Sequence, residues 1–244
     1  MLKFIAIVAL FLGSCKYSHD AIKFQSASLN RFEHSVTETD SNLLKMIKPY
    51  SDSLSGLMNQ VVGFTSYELT NQKPEGLLGN FISDALLQYV QHGILPREPV
   101  MVLLNSGGLR APLPKGNITL GRIFETLPFE NNLVILKIPL SQMDNIVNKI
   151  LERKGDPVSN IIIHKEKNNV HWEFKNNAYN KDYIYIITSD YLANGGDGYT
   201  QFKDALEVIN SGFKLRDVLL MQMQQYKREN KVIEPIIEGR ILIE

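Results

Sequence analysis

Two glycine-rich segments, each holding or ending in a charged residue, carry the strongest chemical signals in this sequence. One reads Asn-Gly-Gly-Asp-Gly-Tyr over residues 194–199, and the other reads Asn-Ser-Gly-Gly-Leu-Arg over residues 105–110. Each comes shortly after an apolar run that predicts a buried strand. Glycine lets the backbone adopt positive φ and approach another molecule closely, and loops at strand ends often carry binding residues. Asp197 offers acceptor oxygens to a sugar, and the planar Arg110 guanidinium suits bidentate contact with a phosphate.

Three further short motifs accompany these two segments. In sequence order, the five motifs are Gly79-Asn80, Asn105-x-Gly-Gly-x-Arg110, Leu127-Pro128-Phe129-x-Asn131, Asn194-Gly-Gly-Asp197-Gly-Tyr199 and Glu238-Gly239-Arg240-Ile241. Together they make the chain from about Val61 to its end similar to the C-terminal domain of the 5′-nucleotidase family. The resemblance implies an α/β fold layered as α/β/β/α, in which mixed sheets are flanked by helices.

The resemblance assigns a nucleobase clamp to two aromatic residues, Phe129 and Tyr191. In the family, the aromatic residues at these two positions hold the base between their rings. Stacking of this kind contributes about 1 to 3 kcal/mol per base and depends little on base identity. Alternatively, both rings belong to the hydrophobic core, which is the commoner role of a single Phe or Tyr. The neighbouring motifs favour the clamp, which predicts broad base tolerance.

The resemblance also assigns residues to the sugar and to the edge of the base. Asp197 is expected to accept hydrogen bonds from both ribose hydroxyls, and its alternative role is an Asx turn. Asn105 and Asn131 are expected to offer amide groups to the base, although either could instead cap a strand end. The loop glycines that let the backbone approach the ligand are Gly107, Gly108, Gly195, Gly196 and Gly198.

Arg110 is the residue expected to bind the phosphate, and its alternative role is a surface salt bridge. Many members of the family carry a further arginine just before the Gly-Asn helix, whereas the nearest cation in this chain is Lys73. A lysine offers a point charge rather than a bidentate fork. The phosphate side of the site is therefore expected to be weaker than the nucleoside side.

No catalytic or metal-binding residue is identified in the sequence. Complete 5′-nucleotidases have an N-terminal metallophosphoesterase domain, whose two metal ions activate water and polarise the phosphate. In this chain the histidines occur singly, without an Asp-x-His pair or a Gly-Asn-His-Asp or Gly-Asn-His-Glu loop, at His19, His34, His92, His164 and His171. The sequence also lacks a Gly-x-Ser-x-Gly elbow, the motif that would indicate another hydrolytic route. Because the uncatalysed barrier is very high, the chain alone is expected to be nearly inert.

Three hypotheses explain predicted nucleotide-binding residues without identified catalytic or metal-binding residues. In the first, the chain is the nucleotide-recognising component of a split 5′-nucleotidase in nucleotide catabolism or salvage. A separate metallophosphoesterase chain then holds two divalent metal ions. The second is a stand-alone nucleotide- or nucleoside-binding lipoprotein without catalysis. The third is a self-contained phosphoesterase with a cryptic metal site. Polynucleotide is not an expected partner, because 26 basic and 26 acidic residues balance.

The N-terminus is typical of an exported bacterial lipoprotein. Lys3 precedes an apolar stretch too short to span a bilayer, and Leu12-Gly13-Ser14-Cys15 is similar to a lipobox. We therefore predict a signal peptide over residues 1–14, a lipid on Cys15, a flexible tether over 15–39 and a domain over 40–244 with its core from about 61. The alternatives are a plain signal peptide or a buried N-terminal strand. The lipid would be the only membrane contact, on the periplasmic face or elsewhere in the cell envelope.

Apolar periodicity predicts the main elements of the domain. Helices are expected over 40–58, 77–90, 141–154 and 215–226, and strands over 61–64, 133–138, 160–164, 170–174 and 183–188. Pro49 is expected to interrupt or kink the first helix. Strands and helices interleave without strict alternation, which also favours a layered α/β fold over a regular doubly wound sheet.

Overall fold

The computed structural model describes residues 41–95, 98–175 and 181–244 of the chain. The predicted signal peptide, Cys15 and the predicted tether lie outside these residues. Residues 47–244 form one compact unit. In the described part of the chain, no helix has both the length and the apolar character needed to cross a bilayer.

Six α-helices and ten β-strands are present in the described residues. The helices are α1 Ser41–Met58, α2 Leu77–Gly93, α3 Leu120–Thr126, α4 Met143–Glu152, α5 Asp190–Ala193 and α6 Leu215–Arg228. The strands are β1 Val61–Thr65, β2 Val100–Leu103, β3 Gly116–Thr119, β4 Asn132–Pro139, β5 Val158–Ser159, β6 Ile161–Glu166, β7 Asn169–Phe174, β8 Tyr183–Ser189, β9 Glu207–Lys214 and β10 Ile241–Ile243. Short 3-10 turns lie at Ser106–Gly108, Leu140–Gln142, Gly196–Gly198 and Thr200–Asp204.

The strands form three sheets. The largest has five strands in the order β5-β2-β8-β4-β9, of which only β2 and β8 pair in parallel. A three-stranded sheet has the order β10-β6-β7, with β10 parallel to β6, and β1 pairs with β3 in an antiparallel ribbon. The two larger sheets are therefore mixed, as the sequence predicted.

The five-stranded sheet lies between two hydrophobic clusters because its central strands are apolar on both faces. On β4, Leu133 and Ile135 belong to the cluster that contains α2 and α6. Val134, Leu136 and Ile138 alternate with them and belong to the cluster that contains α4 and the three-stranded sheet. This arrangement confirms the predicted α/β class with mixed sheets flanked by helices.

The elements predicted from periodicity are present within a few residues of their expected bounds. α1 continues through Pro49, so this proline does not end the helix. A proline removes one backbone hydrogen bond but has helical φ, and α1 retains its other turns. β9 was not predicted, because its residues are exposed or half-buried and give no alternating apolar signal.

Candidate functional site

Three loops meet at one edge of the five-stranded sheet. β2 and β8 are parallel neighbours, so the segments that follow them, 104–109 and 190–199, leave the sheet at the same edge. β4 is antiparallel to β8, so the segment before β4, 127–131, reaches that edge as well. The topology of the sheet therefore brings together the three motifs to which the sequence assigned base and sugar binding.

These loops surround a cavity of about 380 Å³. Its lining residues are Asn105, Gly107, Gly108, Phe129, Asn131, Arg153, Tyr191 and Asp197. All of them except Arg153 were proposed from the sequence. Phe129 is 50% exposed and Tyr191 is 46% exposed, so both rings are accessible from the cavity rather than packed in the hydrophobic core.

The carboxylate of Asp197 is oriented by three donors of the chain itself. Its Oδ1 accepts a hydrogen bond from the Tyr191 hydroxyl at 3.0 Å. Its Oδ2 accepts one from Asn105 Nδ2 at 2.9 Å and one from Arg153 Nη2 at 2.8 Å. An acceptor group is thus held in a fixed position at the wall of the cavity.

The turn that carries Asp197 depends on its glycines. Gly195, Asp197 and Gly198 have φ of 85°, 53° and 83°, in the left-handed region that favours glycine. At Gly196, an added Cβ would lie 2.5 Å from the carbonyl oxygen of Tyr191 and 2.6 Å from its ring carbons. The glycines therefore let the turn pack directly against the Tyr191 ring.

A buried carboxylate, Asp156, connects the loops behind the cavity. It is 2% exposed and accepts hydrogen bonds from Arg153 Nε at 2.5 Å and from the Tyr199 hydroxyl at 2.9 Å. It also accepts one from the backbone N–H of Ser106 at 2.9 Å. One side chain thus joins the loop after β2, the end of α4 and the residue after the Gly-Gly-Asp-Gly turn.

The protonation states in this cluster follow from its burial and charges. Burial, followed by the nearby Asp156 carboxylate, raises the pKa of Tyr199 far above the usual range, so its hydroxyl remains a donor. Burial tends to lower the pKa of Arg153, but the contacts with Asp156 and Asp197 outweigh it and raise the pKa. Arg153 is therefore a permanent cation between two carboxylates.

Sequence reasoning missed Arg153 and Asp156 as site residues. Arg153 lies at the C-terminal end of α4, where a cation is favourable for the helix dipole without any binding role. The useful signal was the Arg-x-x-Asp spacing across Gly155, which has a φ of 97°. Arg153 contacts Asp197, and Asp156 contacts Ser106 and Tyr199, so both side chains reach the loops of the sheet edge.

The loop that carries Phe129 is held by a second arginine. Arg216 is 5% exposed, and its guanidinium donates to the carbonyl oxygen of Leu127 at 3.0 Å and to Glu130 Oε1 at 2.5 Å. Lys214 also donates to the Glu130 carboxylate. Hydrogen bonds from Lys214 and Arg216 lower the pKa of Glu130. The Phe129 ring is therefore presented on a braced loop.

The two cations predicted to bind phosphate lie outside the cavity lining. Arg110 is exposed, and its backbone N–H donates to the carbonyl oxygen of Thr126 at 2.9 Å. The Lys73 ammonium donates to the carbonyl oxygen of Arg153 and lies 4.0 Å from the Asp156 carboxylate. The structure thus gathers the predicted base and sugar residues and leaves the predicted phosphate residues apart from them.

Metal-binding groups do not gather in the described ranges 41–95, 98–175 and 181–244. No three His, Cys, Asp or Glu side chains there are placed to hold a metal ion. His164 and His171 are opposite each other on β6 and β7, and both are exposed. These residues do not fit a two-metal phosphoesterase centre.

A larger groove of about 550 Å³ lies away from this cavity and is lined in part by Asp84, Ser159, Glu238 and Arg240. Arg240 is 3% exposed and donates to both oxygens of Asp84, at 2.8 and 2.7 Å, and to Glu238 at 2.8 Å. Its charge is thus neutralised within the chain. The closing Glu-Gly-Arg-Ile motif therefore has a structural role in holding the chain end to α2.

Known proteins show a similarity that agrees with this geometry. The family model "5'-nucleotidase, C-terminal domain" matches residues 58–173, which contain β2, β4 and the loops that carry Asn105 and Phe129. Over these residues the chain is similar to the 5′-nucleotidase C-terminal domain. This result confirms the resemblance found in the sequence and agrees with the layered fold.

Two curated relatives of the chain have names that refer to nucleotides. The trifunctional nucleotide phosphoesterase protein YfkN of Bacillus subtilis is 28% identical over 229 residues, which cover 84% of this chain and 15% of that protein. The 5′-nucleotidase of Mus musculus is 25% identical over 194 residues, covering 67% of this chain and 32% of the mouse protein.

Solved structures show the same fold. The 5′-nucleotidase precursor from Thermus thermophilus superposes with a TM-score of 0.70 at 25% identity, over 82% of this chain and 42% of that one. The Haemophilus influenzae NAD nucleotidase shares the fold with a TM-score of 0.57 at 16% identity, over 78% of this chain and 40% of that one. The chain thus spans less than half the length of each of these relatives.

Proposed function

We propose that this chain binds a nucleotide or nucleoside in the cavity lined by Phe129 and Tyr191. One observation carries the proposal: two half-exposed rings and the oriented Asp197 carboxylate surround the same cavity of about 380 Å³. Small-molecule pockets usually measure about 300 to 1,000 Å³ and combine apolar walls with a few fixed polar groups. A flat base stacks on the rings, and the carboxylate accepts a hydrogen bond from the sugar.

We further propose that the chain is the recognition component of a split 5′-nucleotidase that acts in nucleotide catabolism or salvage. A separate metallophosphoesterase chain would carry two divalent metal ions, which activate the water and polarise the phosphate. The nucleotide-related names of the curated relatives support this proposal. So does the absence of a metal-ligand group from the described residues. In this proposal the chain is exported and anchored to the cell envelope through a lipid on Cys15.

The contribution of the chain itself is binding and orientation. The two rings fix the plane of the base, and Asp197 fixes the sugar, so the phosphate ester is presented in one direction. Arg110 and Lys73 add positive charge for the phosphate from outside the cavity lining. No proton transfer or nucleophilic step is assigned to this chain.

A second candidate function is nucleoside capture without catalysis. The favouring observation is that the oriented contacts belong to the base and sugar part of the site, whereas Arg110 lies outside the cavity lining. Under this alternative adenosine and AMP bind with similar affinity. No metallophosphoesterase partner would then produce turnover.

Calorimetry with the full chain tests the binding site. The wild-type protein is expected to bind adenosine, and Phe129→Ala is expected to weaken binding by about tenfold or more through lost stacking. Phe64→Ala is the matched control, because Phe64 is 44% exposed and lies on β1, outside the cavity lining. Wild-type protein without affinity for adenosine or AMP, or equal losses in both variants, would overturn the site.

Mixing experiments test the split enzyme. The full chain with Mn²⁺ is expected to release no phosphate from AMP until a metallophosphoesterase chain is added. Release that then depends on Phe129 supports the split enzyme. Binding without release in any mixture favours nucleoside capture, and chelator-sensitive release by the chain alone would reveal a metal centre of its own.

A further inference from the structure

The acceptor capacity of Asp197 is largely used by this chain. An ionised carboxylate has about four acceptor positions, two on each oxygen. On Oδ2, both are taken by Asn105 Nδ2 at 2.9 Å and Arg153 Nη2 at 2.8 Å. On Oδ1, one is taken by the Tyr191 hydroxyl at 3.0 Å. This count leaves one position on Oδ1 for a ligand.

The Tyr191 hydroxyl is held in this position from two sides. Its oxygen accepts a hydrogen bond from the backbone N–H of Asp197 at 3.3 Å while the hydroxyl donates to Oδ1. The ring lies against the backbone at Gly196, where an added Cβ would be 2.6 Å from two ring carbons. The hydroxyl is therefore part of the turn rather than a mobile surface group.

The two donors on Oδ2 are also held. The Nε atom of Arg153 donates to the buried Asp156, which keeps the guanidinium beside Asp197. The same carboxylate accepts the backbone N–H of Ser106, the neighbour of Asn105. A ligand that displaced Arg153 would disturb its contact with Asp156, and the backbone beside Asn105 is anchored to the same carboxylate.

We propose that the Tyr191 hydroxyl is a specificity determinant that limits Asp197 to one sugar hydroxyl. This inference rests on the proposed nucleoside site. The family resemblance assigns both ribose hydroxyls to Asp197, and here the phenol of Tyr191 fills one of the two positions on Oδ1. The ligand class that this geometry accepts includes nucleosides that lack one of the two ribose hydroxyls, namely the one that Asp197 does not bind.

The wild-type protein is tested with three ligands that differ by a single hydroxyl. Calorimetry gives dissociation constants for adenosine, 2′-deoxyadenosine and 3′-deoxyadenosine. One deoxynucleoside is expected to bind within about threefold of adenosine, because the hydroxyl it lacks has no acceptor. The other is expected to bind about tenfold or more weakly, because it loses a hydrogen bond to a charged acceptor.

The variant Tyr191→Phe keeps the ring and removes the hydroxyl. It opens the second position on Oδ1, so adenosine is expected to bind at least as tightly as in the wild type. Both deoxynucleosides are then expected to bind about tenfold or more weakly than adenosine. Tyr183→Phe is the matched control, because the Tyr183 hydroxyl donates to Glu98 at 3.0 Å and lies outside the cavity lining. It should leave all three ratios unchanged.

Several outcomes overturn the inference. These are a wild-type protein that needs both hydroxyls or neither, a Tyr191→Phe variant with the wild-type ratios, and loss of adenosine binding in a folded Tyr191→Phe variant. The proposed function fails separately, when the wild-type protein binds none of the three nucleosides. Adenosine binding that depends on Phe129 but shows other ratios refutes the role of Tyr191 alone.

Discussion

Asp156 accepts a hydrogen bond from the backbone N–H of Ser106 at 2.9 Å, and this contact ties the loop after β2 to the turn that follows α4. The Asp156 side chain is fully buried, and its other oxygen accepts hydrogen bonds from Arg153 and Tyr199. The position of Asn105 and the position of the Arg153 guanidinium therefore depend on one carboxylate.

Asp156→Asn is expected to destabilise the fold and weaken nucleoside binding together. Both carboxylate oxygens of Asp156 accept hydrogen bonds, whereas an asparagine has one oxygen and must point its NH₂ group at another donor. Arg153 also loses its buried counter-ion. Breaking such a pair costs about 3 kcal/mol in the free energy of unfolding. Adenosine affinity is expected to fall about tenfold as Asn105 and Arg153 lose their fixed positions. Urea unfolding and calorimetry measure the two effects.

The control for this variant is Asp144→Asn. Asp144 accepts a hydrogen bond from Trp172 Nε1 at 2.7 Å in an exposed position, so the same chemical change is expected to cost less than about 1 kcal/mol. Equal effects of the two substitutions, or unchanged adenosine binding in Asp156→Asn, would contradict the bridging role of Asp156.

Arg216→Met is expected to loosen the loop that presents Phe129. The methionine keeps an unbranched apolar stem but loses the hydrogen bonds to the Leu127 carbonyl and to Glu130. Leaving that carbonyl unsatisfied costs about 1 to 3 kcal/mol. Adenosine affinity should fall severalfold, with unchanged selectivity between the deoxynucleosides, because Asp197 is not affected.

Lys214→Met provides the comparison for Arg216. Lys214 pairs with the same Glu130 carboxylate, but its side chain is 39% exposed against 6% for Arg216. Surface ion pairs contribute about 0 to 1 kcal/mol, so this variant should behave like the wild type. If Lys214→Met lost as much adenosine affinity as Arg216→Met, the loop would depend on neutralising the charge of Glu130 and not on the buried hydrogen bonds of Arg216.

The sequence was informative where a residue's role depends on its own segment. Phe129 and Tyr191, which both line the cavity, were predicted from the resemblance of nearby short motifs to a known family, and the sheet edge follows from apolar runs. Arg153 could not be found in this way, because its contact with Asp197 joins residues 44 positions apart and depends on the turn at Gly155. The acceptor count at Asp197 likewise required coordinates, since it depends on where the Tyr191 hydroxyl points.

The pH dependence of stability should include a contribution from Glu238. Burial tends to raise its pKa, but hydrogen bonds from Lys175 and Arg240 outweigh this and lower it from the usual 4.5. A carboxyl whose pKa is lowered by folding stabilises the fold above its unfolded pKa, and this stability is lost as the pH falls through the folded pKa. The difference in thermal unfolding between the wild type and Glu238→Gln should therefore be constant above about pH 5 and should shrink as the pH falls from 4.5 through the folded pKa. A difference that does not shrink anywhere in the acid range would show that the charge of Glu238 does not stabilise the fold.

Gly196→Ala is expected to damage the site more than any other small change in the turn. The new Cβ would lie 2.5 Å from the Tyr191 carbonyl oxygen and 2.6 Å from its ring, so the turn and the ring must separate. This separation breaks the contact between the Tyr191 hydroxyl and Asp197, and it moves one wall of the proposed base clamp. We expect a loss of about 1 to 3 kcal/mol in the free energy of unfolding from the overpacking and at least a tenfold loss of adenosine affinity. Gly93→Ala is the control, because Gly93 ends α2 outside the cavity lining and its added Cβ would have no atom within 4 Å. Calorimetry on both variants checks the prediction, and similar affinities would mean that the Tyr191 ring does not contact the base.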